Sequence, residues 1–488
     1  MKPTFGLIVI ALLVVGSPGT KKTQAPAQGE SLEALELAGG PEVGEEPGDG
    51  DGIEPAPDYV PPEAFIAGAQ QEVAVAGVVG PNTLVNSRQL CPSGRGNTQS
   101  ETMFAVYGDT IVAAFNDSRG FYCPQPRSTL GWAYSFDGGQ SFVDGGTLPG
   151  GSSYWSNGDP WVVTDGAGTF YVGGISFNVL GMSVSRGTIA EDGIAWSDPV
   201  EATYGASGTD KDAMVVDLDR GILYLVYDVN AASVRLVSST DQGATWTSPS
   251  LLPLPGGVGA FPVIDYFNGG RIYVSWLAGF GTGNQRIMIT SSDDFGGTFN
   301  PIVQISQVCP FNVAGFSRGQ VPAFPSMALD QTGGPFTGRL YTAFHSACDG
   351  LGTAYLTWSD DGGVTWTPPE VIPDDSSGGI HFSPTVSIDA NGTVNIFFYD
   401  RRENPGTGIT NVYFTQSFDG GQTLEPNIRI TTVATNWSAV ASDITPNMGD
   451  YMSSTSIGTD VLVNWSDGRQ GDPDSYFARL SFGTGAAK

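Results

Sequence analysis

An eight-residue pattern recurs five times in this 488-residue chain, and no other feature narrows its fold so far. "SFDGGQSF" (Ser135–Phe142), "STDQGATW" (Ser239–Trp246), "SDDFGGTF" (Ser292–Phe299), "SDDGGVTW" (Ser359–Trp366) and "SFDGGQTL" (Ser417–Leu424) share Ser, Asp, Gly, a hydroxyl residue and a closing aromatic or Leu at fixed offsets. An Asp in such a turn accepts hydrogen bonds from the N–H groups that follow it, Gly permits a left-handed backbone, and the hydroxyl closes the loop. Scaffolding is therefore the expected role of these residues, Asp361 and Trp366 included. The aspartates stand at 137, 241, 294, 361 and 419, so the first gap is roughly double the others. "SVSRGTIAEDGIAWSDP" (Ser183–Pro199) fills it as a copy that keeps Trp196 and has lost the Asp-Gly core.

Before each copy comes an apolar strand, a Gly or Asn turn and a second apolar strand, as in "PWVVTDGAGTFYVGGIS" and "PTVSIDANGTVNIFFYD". Asp165-Gly166 and Asn391-Gly392 are the residue pairs that tight hairpins select. A further copy starts at Tyr451 and has no box after it. Two inner strands, a third leading into the box and a fourth after it, repeated about every fifty residues, are the mark of an all-β chain folded as a β-propeller. The count gives seven four-stranded antiparallel blades, with "EVAVAGVVGPNTLVNS" (Glu72–Ser87) free to supply the strand the last blade lacks; six blades is the alternative. The 68 Gly, 33 Pro and only 15 % charged residues fit many short strands and tight turns.

The formal charge of −29 speaks against binding to nucleic acid or to an anionic membrane surface, both of which need a basic patch. Between Glu30 and Glu63 there are eleven acidic residues and no Lys or Arg. Residues 20–65 therefore read as a disordered acidic linker. In front of it, residues 1–19 contain an apolar run, Phe5 to Gly16, of secretory-signal length, although Lys21-Lys22 behind it suits an uncleaved anchor. The expectation is a secreted or cell-surface monomer whose propeller occupies residues 66–488.

The octapeptide is the Asp-box, or BNR repeat, and the chain resembles the sialidase superfamily from about residue 70 to its C-terminus. That resemblance implies that the boxes lie on the face opposite the functional one, which is then built from loops entering each first strand and leaving each second strand. By this rule Cys91 and Cys123 meet on blade 1 and Cys309 and Cys348 on blade 5, so disulfides Cys91–Cys123 and Cys309–Cys348 are expected, in keeping with export. Eight of the sixteen arginines map to the same face. Three recur at the end of a second strand, as Asp117-Ser-Arg119, Asp400-Arg401-Arg402 and Asp467-Gly-Arg469, in blades that become neighbours once the ring closes.

Sialidases hold the carboxylate of their sugar with three arginines, use a Tyr nucleophile activated by a Glu, and use an Asp as acid/base. Carried over, this resemblance implies Arg119, Arg402 and Arg469, with Arg401 beside them, as ligands for an anionic carbohydrate. It likewise implies Tyr451 as nucleophile, Glu101 as its partner, and Asp117 or Asp159 as proton carrier. The competing reading of each Asp-x-Arg is an ion pair within a blade. The Arg-Ile-Pro tripeptide of sialidases is absent, which leaves another anionic glycan, or binding without catalysis, open. His345 and His381 fall on the same face at adjoining blades, and propeller lyases use His with Tyr and Arg on uronates. No cluster has metal-ligand spacing and no cofactor fingerprint occurs, so neither metal nor cofactor is expected.

Overall fold

The computed structural model of the chain describes residues 53–56, 77–124, 128–149, 158–176, 181–203 and 208–482. Residues 1–19, read as signal or anchor, lie outside them, as does all but 53–56 of the acidic span.

Seven antiparallel sheets stand in a ring. Each has its first strand innermost: Gln99–Tyr107, Trp161–Thr164, Thr209–Asp217, Gly257–Asp265, Ser326–Leu329, His381–Ile388 and Ser453–Ile457 open blades 1 to 7. These inner strands contact one another in sequence, and Gln99–Tyr107 also meets Ser453–Ile457, so the ring closes at seven. The closing strand is Thr83–Leu84, which pairs with Phe477 and Tyr476 as the outermost strand of blade 7. Blade 2, whose box has decayed, extends its third strand to Ala190, turns back as Gly193–Trp196, and adds Val200–Glu201 against Val184 and Ser183.

The core lies between blades. Tyr224, Val226 and Leu236 of blade 3 pack on Ile272, Val274 and Trp276 of blade 4, all at most 2 % exposed, and comparable clusters fill other junctions. The repeated octapeptides sit in the turns between third and fourth strands. In each, the Asp accepts from the Ser hydroxyl two residues before it and from the N–H and hydroxyl of the residue four after; for Asp361 the distances are 2.8 Å to Ser359 Oγ, 2.8 Å to Thr365 N and 2.6 Å to Thr365 Oγ1. Burial works to raise Asp137, but those bonds to the charged form together outweigh it and hold Asp137, like Asp241, down to about 2. The boxes are fasteners.

Both disulfides, Cys91–Cys123 and Cys309–Cys348, are present, with Cα atoms 5.0 and 4.9 Å apart. They suit an oxidising compartment. Among the described residues no helix is long and apolar enough to cross a membrane.

Candidate functional site at the channel axis

The inner strands share a defect. Register breaks fall between Ser100 and Met103, Asp210 and Ala213, Val258 and Phe261, and Phe382 and Thr385. Each leaves one residue with positive φ: Glu101 at 53°, Lys211 at 42°, Gly259 at 62° and Ser383 at 46°. Asp159, at 55°, holds the matching place two residues before Trp161, and Tyr451 stands likewise before Ser453. Bulges re-aim side chains. A non-glycine residue in this region costs on the order of 1–3 kcal/mol, and such strain gathers at functional sites. Here three consecutive blades spend it on charged residues.

Those three charges meet. Lys211 Nζ is 3.2 Å from Glu101 Oε1, 3.1 Å from Asp159 Oδ2 and 2.8 Å from Asp450 Oδ2. Arg318 Nη1 approaches Asp450 Oδ2 at 3.4 Å. Asn116 clamps the two acids of blades 1 and 2, donating to Glu101 Oε2 (2.9 Å) and accepting from Asp159 N (2.8 Å). Glu101, Asp159, Lys211 and Asp450 are all at most 3 % exposed. Asp212, also buried, has no hydrogen-bond partner for either carboxylate oxygen among the described residues.

Burial dominates the protonation of this group. It raises Glu101 well above the carboxylate range, helped by Asp159 and resisted by Lys211. It raises Asp159 to about 7, with Lys211 again pulling down. Asp212 is raised well above by burial and by the Asp159 charge. Asp450 goes the other way: burial would raise it, but Lys211 and Arg318 outweigh that and keep it ionised. Lys211, which burial alone would lower, is raised by Asp159, Asp450 and Glu101. Tyr451 stays a phenol, raised by burial and then by Glu101 and Asp159, and its hydroxyl donates to Pro160 O at 3.1 Å. Its ring lies 5.9 Å from Lys211 Nζ and 6.2 Å from the ring of Trp161.

Beside this cluster lies a cavity of about 80 Å³, open on one side to solvent. Lys211, Asp212, Asp450 and Tyr451 line it together with Trp161, Phe261 and Phe324. The structure thus brings together Glu101, Asp159 and Tyr451 of the residues singled out from sequence.

It does not bring the arginines there. Arg119 bonds Asp117 and Asp144, the latter on the outermost strand of blade 1. Arg402 pairs with Asp400 and Asp374, bonds Asn427 and lies 4.2 Å from the ring of Tyr413. Arg469 pairs with Asp467, bonds Thr432 and Asn82 and lies 4.2 Å from Tyr476. Arg119 and Arg469 reach from the second strand toward the outermost strand of their own sheet, where Asp144 and Asn82 stand, and Arg402 reaches Asn427 beside that strand and Asp374 in the connection from blade 5. The expected convergence on Tyr451 is replaced by three blade braces, and Asp117 is part of one of them. Arg401 is buried against Phe382 and donates to Thr410 Oγ1 and to the carbonyls of Thr407 and Ala314.

The histidines are also committed. His345 Nε2 lies 3.1 Å from Val321 O, Nδ1 accepts from Ser383 N, and burial lowers it to about 4. It therefore holds the blade 6 bulge. His381 meets Asp375 Oδ1 at 2.9 Å and Thr353 Oγ1 at 3.2 Å. Asp375, His381 and Asp400 form a group whose donor atoms lie within 4.8 Å, a spacing a metal ion could use. Arg402, 2.7 Å from Asp400 and 3.6 Å from Asp375, already supplies positive charge there.

Sequence reasoning passed over Lys211, Asp212, Asp450 and Asn116. Lys211 did carry a signal: it is the single lysine between Lys22 and Lys488, and it stands between two aspartates at the start of a strand.

No family model matches the chain, and no curated protein matches it. Solved structures do. An ulvan lyase bound to a glucuronate–sulfated rhamnose fragment is 11 % identical over 84 % of this chain and 94 % of that one, with a TM-score of 0.48. A Penicillium chrysogenum α-L-arabinanase complexed with arabinobiose is 13 % identical over 82 % and 98 %, with a TM-score of 0.43. A Hadza microbial sialidase is 13 % identical over 79 % of this chain, which spans 66 % of that protein's length, with a TM-score of 0.41.

Proposed function

We propose that the chain is a propeller glycoside hydrolase working by acid–base chemistry at the channel axis. The observation that carries this reading is the convergence of three strained, buried charges, Glu101, Asp159 and Lys211, on one point beside an aromatic-walled chamber. Asp159, poised at about 7, protonates the leaving oxygen. Asp450, kept ionised, is the carboxylate that attacks or activates water. Both touch Lys211 Nζ, so their carboxylates lie within about 6 Å of each other, close to the separation of retaining enzymes. Tyr451, a phenol engaged with Pro160, serves as a wall of the chamber and not as the nucleophile.

The sugar is neutral in this reading. A sialic-acid-like carboxylate would enter without the clasp of Arg119, Arg402 and Arg469, which are held by Asp117, Asp400 and Asp467. The complete burial of Glu101 and Asp159 favours a second reading, a propeller that binds a glycan without turnover.

A panel of neutral aryl glycosides and oligosaccharides, with a fluorogenic sialoside alongside, decides between them. Hydrolysis of a neutral member that falls by about 10²- to 10⁴-fold in Asp159→Asn supports the hydrolase. Binding without product on every member removes it, and release from the sialoside alone restores the anionic substrate.

A further inference from the structure

A segment from outside the ring reaches Gly158, the residue before Asp159. Glu54 pairs with Thr445 and Pro55 with Ile444, antiparallel, and Ala56 N donates to Asp443 O at 2.9 Å. The receiving loop, which leads into blade 7, is firmly held. Gly96 N donates to Asp443 Oδ2 at 2.6 Å, Tyr122 Oη donates to Asp443 O at 2.8 Å, and Ile444 is fully buried.

Ile53 is the anchor. It is 2 % exposed, although it belongs to a span that composition reads as solvated linker. Its Cγ1 and Cδ1 lie 3.1 Å from the point a Cβ on Gly158 would occupy, so a side chain there would push Ile53 by a few tenths of an ångström. Asn116 Oδ1 is 2.9 Å from the same point. Gly158 precedes Asp159, and Asn116 is the amide that holds Asp159 and Glu101. The aliphatic side chain therefore stands against Gly158, the residue before Asp159, at the end of the channel opposite the octapeptide turns.

We propose that Ile53–Ala56 is an intramolecular strap that closes the mouth above Glu101 and Asp159, and that a ligand reaches them once this strap is displaced or cut away. The proposal rests on the reading of that cluster as the working site. The strap is suited to leave: among the described residues a two-residue ladder, the Ala56 amide and one aliphatic anchor hold it, whereas every blade is held by strands paired on a shared core. Full burial of two acids in a channel that must admit a substrate is then a closed state of the molecule, and its population sets the apparent affinity.

The test uses the full chain and its Ile53→Asp variant, with Ile53→Ala as a milder step. Two readouts do not depend on turnover: hydrogen exchange at the Ala56 amide, and labelling of Asp159 and Glu101 by a water-soluble carbodiimide with an amine, located by peptide mass mapping. Ile53→Asp should speed both by about tenfold or more with the unfolding midpoint nearly unchanged, and Ile53→Ala should move both the same way by less. Unchanged exchange at Ala56 in both variants overturns the strap, as does faster exchange with no gain in labelling. If labelling rises while no glycoside is cleaved by either protein, the strap stands and the hydrolase reading falls.

Discussion

One ammonium group governs the protonation of the axis. Lys211 Nζ has three carboxylates within 3.2 Å, and without it Asp450 would lose its main counter-charge in a fully buried setting. Removing one partner of a buried ionic group costs about 3–5 kcal/mol, since the charges left behind have neither water nor a partner. Lys211→Met should show that loss at pH 8. The sign with pH follows from linkage. An acid whose folded pKa is raised, as Asp159 is to about 7, binds more protons in the native than in the unfolded chain between about pH 4 and 7, so its contribution to stability falls as pH rises through that window. Without Lys211 the acids are pushed higher still and take up protons at pH 5, where the charges that repel disappear. Denaturant unfolding should therefore give a clearly smaller penalty at pH 5 than at pH 8. Equal penalties would mean that Lys211 serves packing and not charge.

At the scale of the element, the second strands of blades 1, 6 and 7 end in a repeated device. Asp117, Asp400 and Asp467 are buried, and each is compensated by the arginine two residues on. That arginine crosses the sheet to Asp144, Asn427 or Asn82, next to the short fourth strand. Short edge strands gain little from their own ladder, and the brace ties them down. Arg402→Ala or Arg469→Ala should lower stability by about 2–4 kcal/mol, because a buried Asp is left behind, and should leave glycan binding unchanged. Weakened binding at constant stability, measured by calorimetry beside denaturant unfolding, would return these residues to the ligand site. The recurrence of Asp-x-Arg was plain in the sequence, and so was the end of the blade it occupies. Which way the guanidinium swings was not, because Arg469 finds Asn82 387 residues away. The octapeptides were legible for the opposite reason: every bond of the Asp361 turn is made within four residues. Lys211 fell between these cases, visible as an isolated lysine but given meaning only by Glu101, 110 residues away, and by Asp450 from blade 7.

At the scale of the whole molecule, a ring of blades holds only if its last sheet is completed by the other end of the chain. Thr83–Leu84 does this with two residues, and Val79 adds a bridge to Leu480. So short a strand cannot close the ring by its ladder alone, and a buried polar junction carries the rest. Asn86, 4 % exposed, donates to Gln99 Oε1 of blade 1 at 3.0 Å and to Asp474 Oδ1 of blade 7 at 2.9 Å, and accepts from Ser475 N at 2.7 Å. One amide thus joins the closing strand, the first blade and the last. Asn86→Leu keeps the branching of the side chain and strands three buried polar groups, each worth about 1–3 kcal/mol when left unpartnered. The expected loss is about 3 kcal/mol or more, with exchange of the blade 7 amides accelerated before that of blades 3 to 5. A loss under about 1 kcal/mol, or exchange that quickens equally around the ring, would show that closure is secured elsewhere and that Asn86 only fills space.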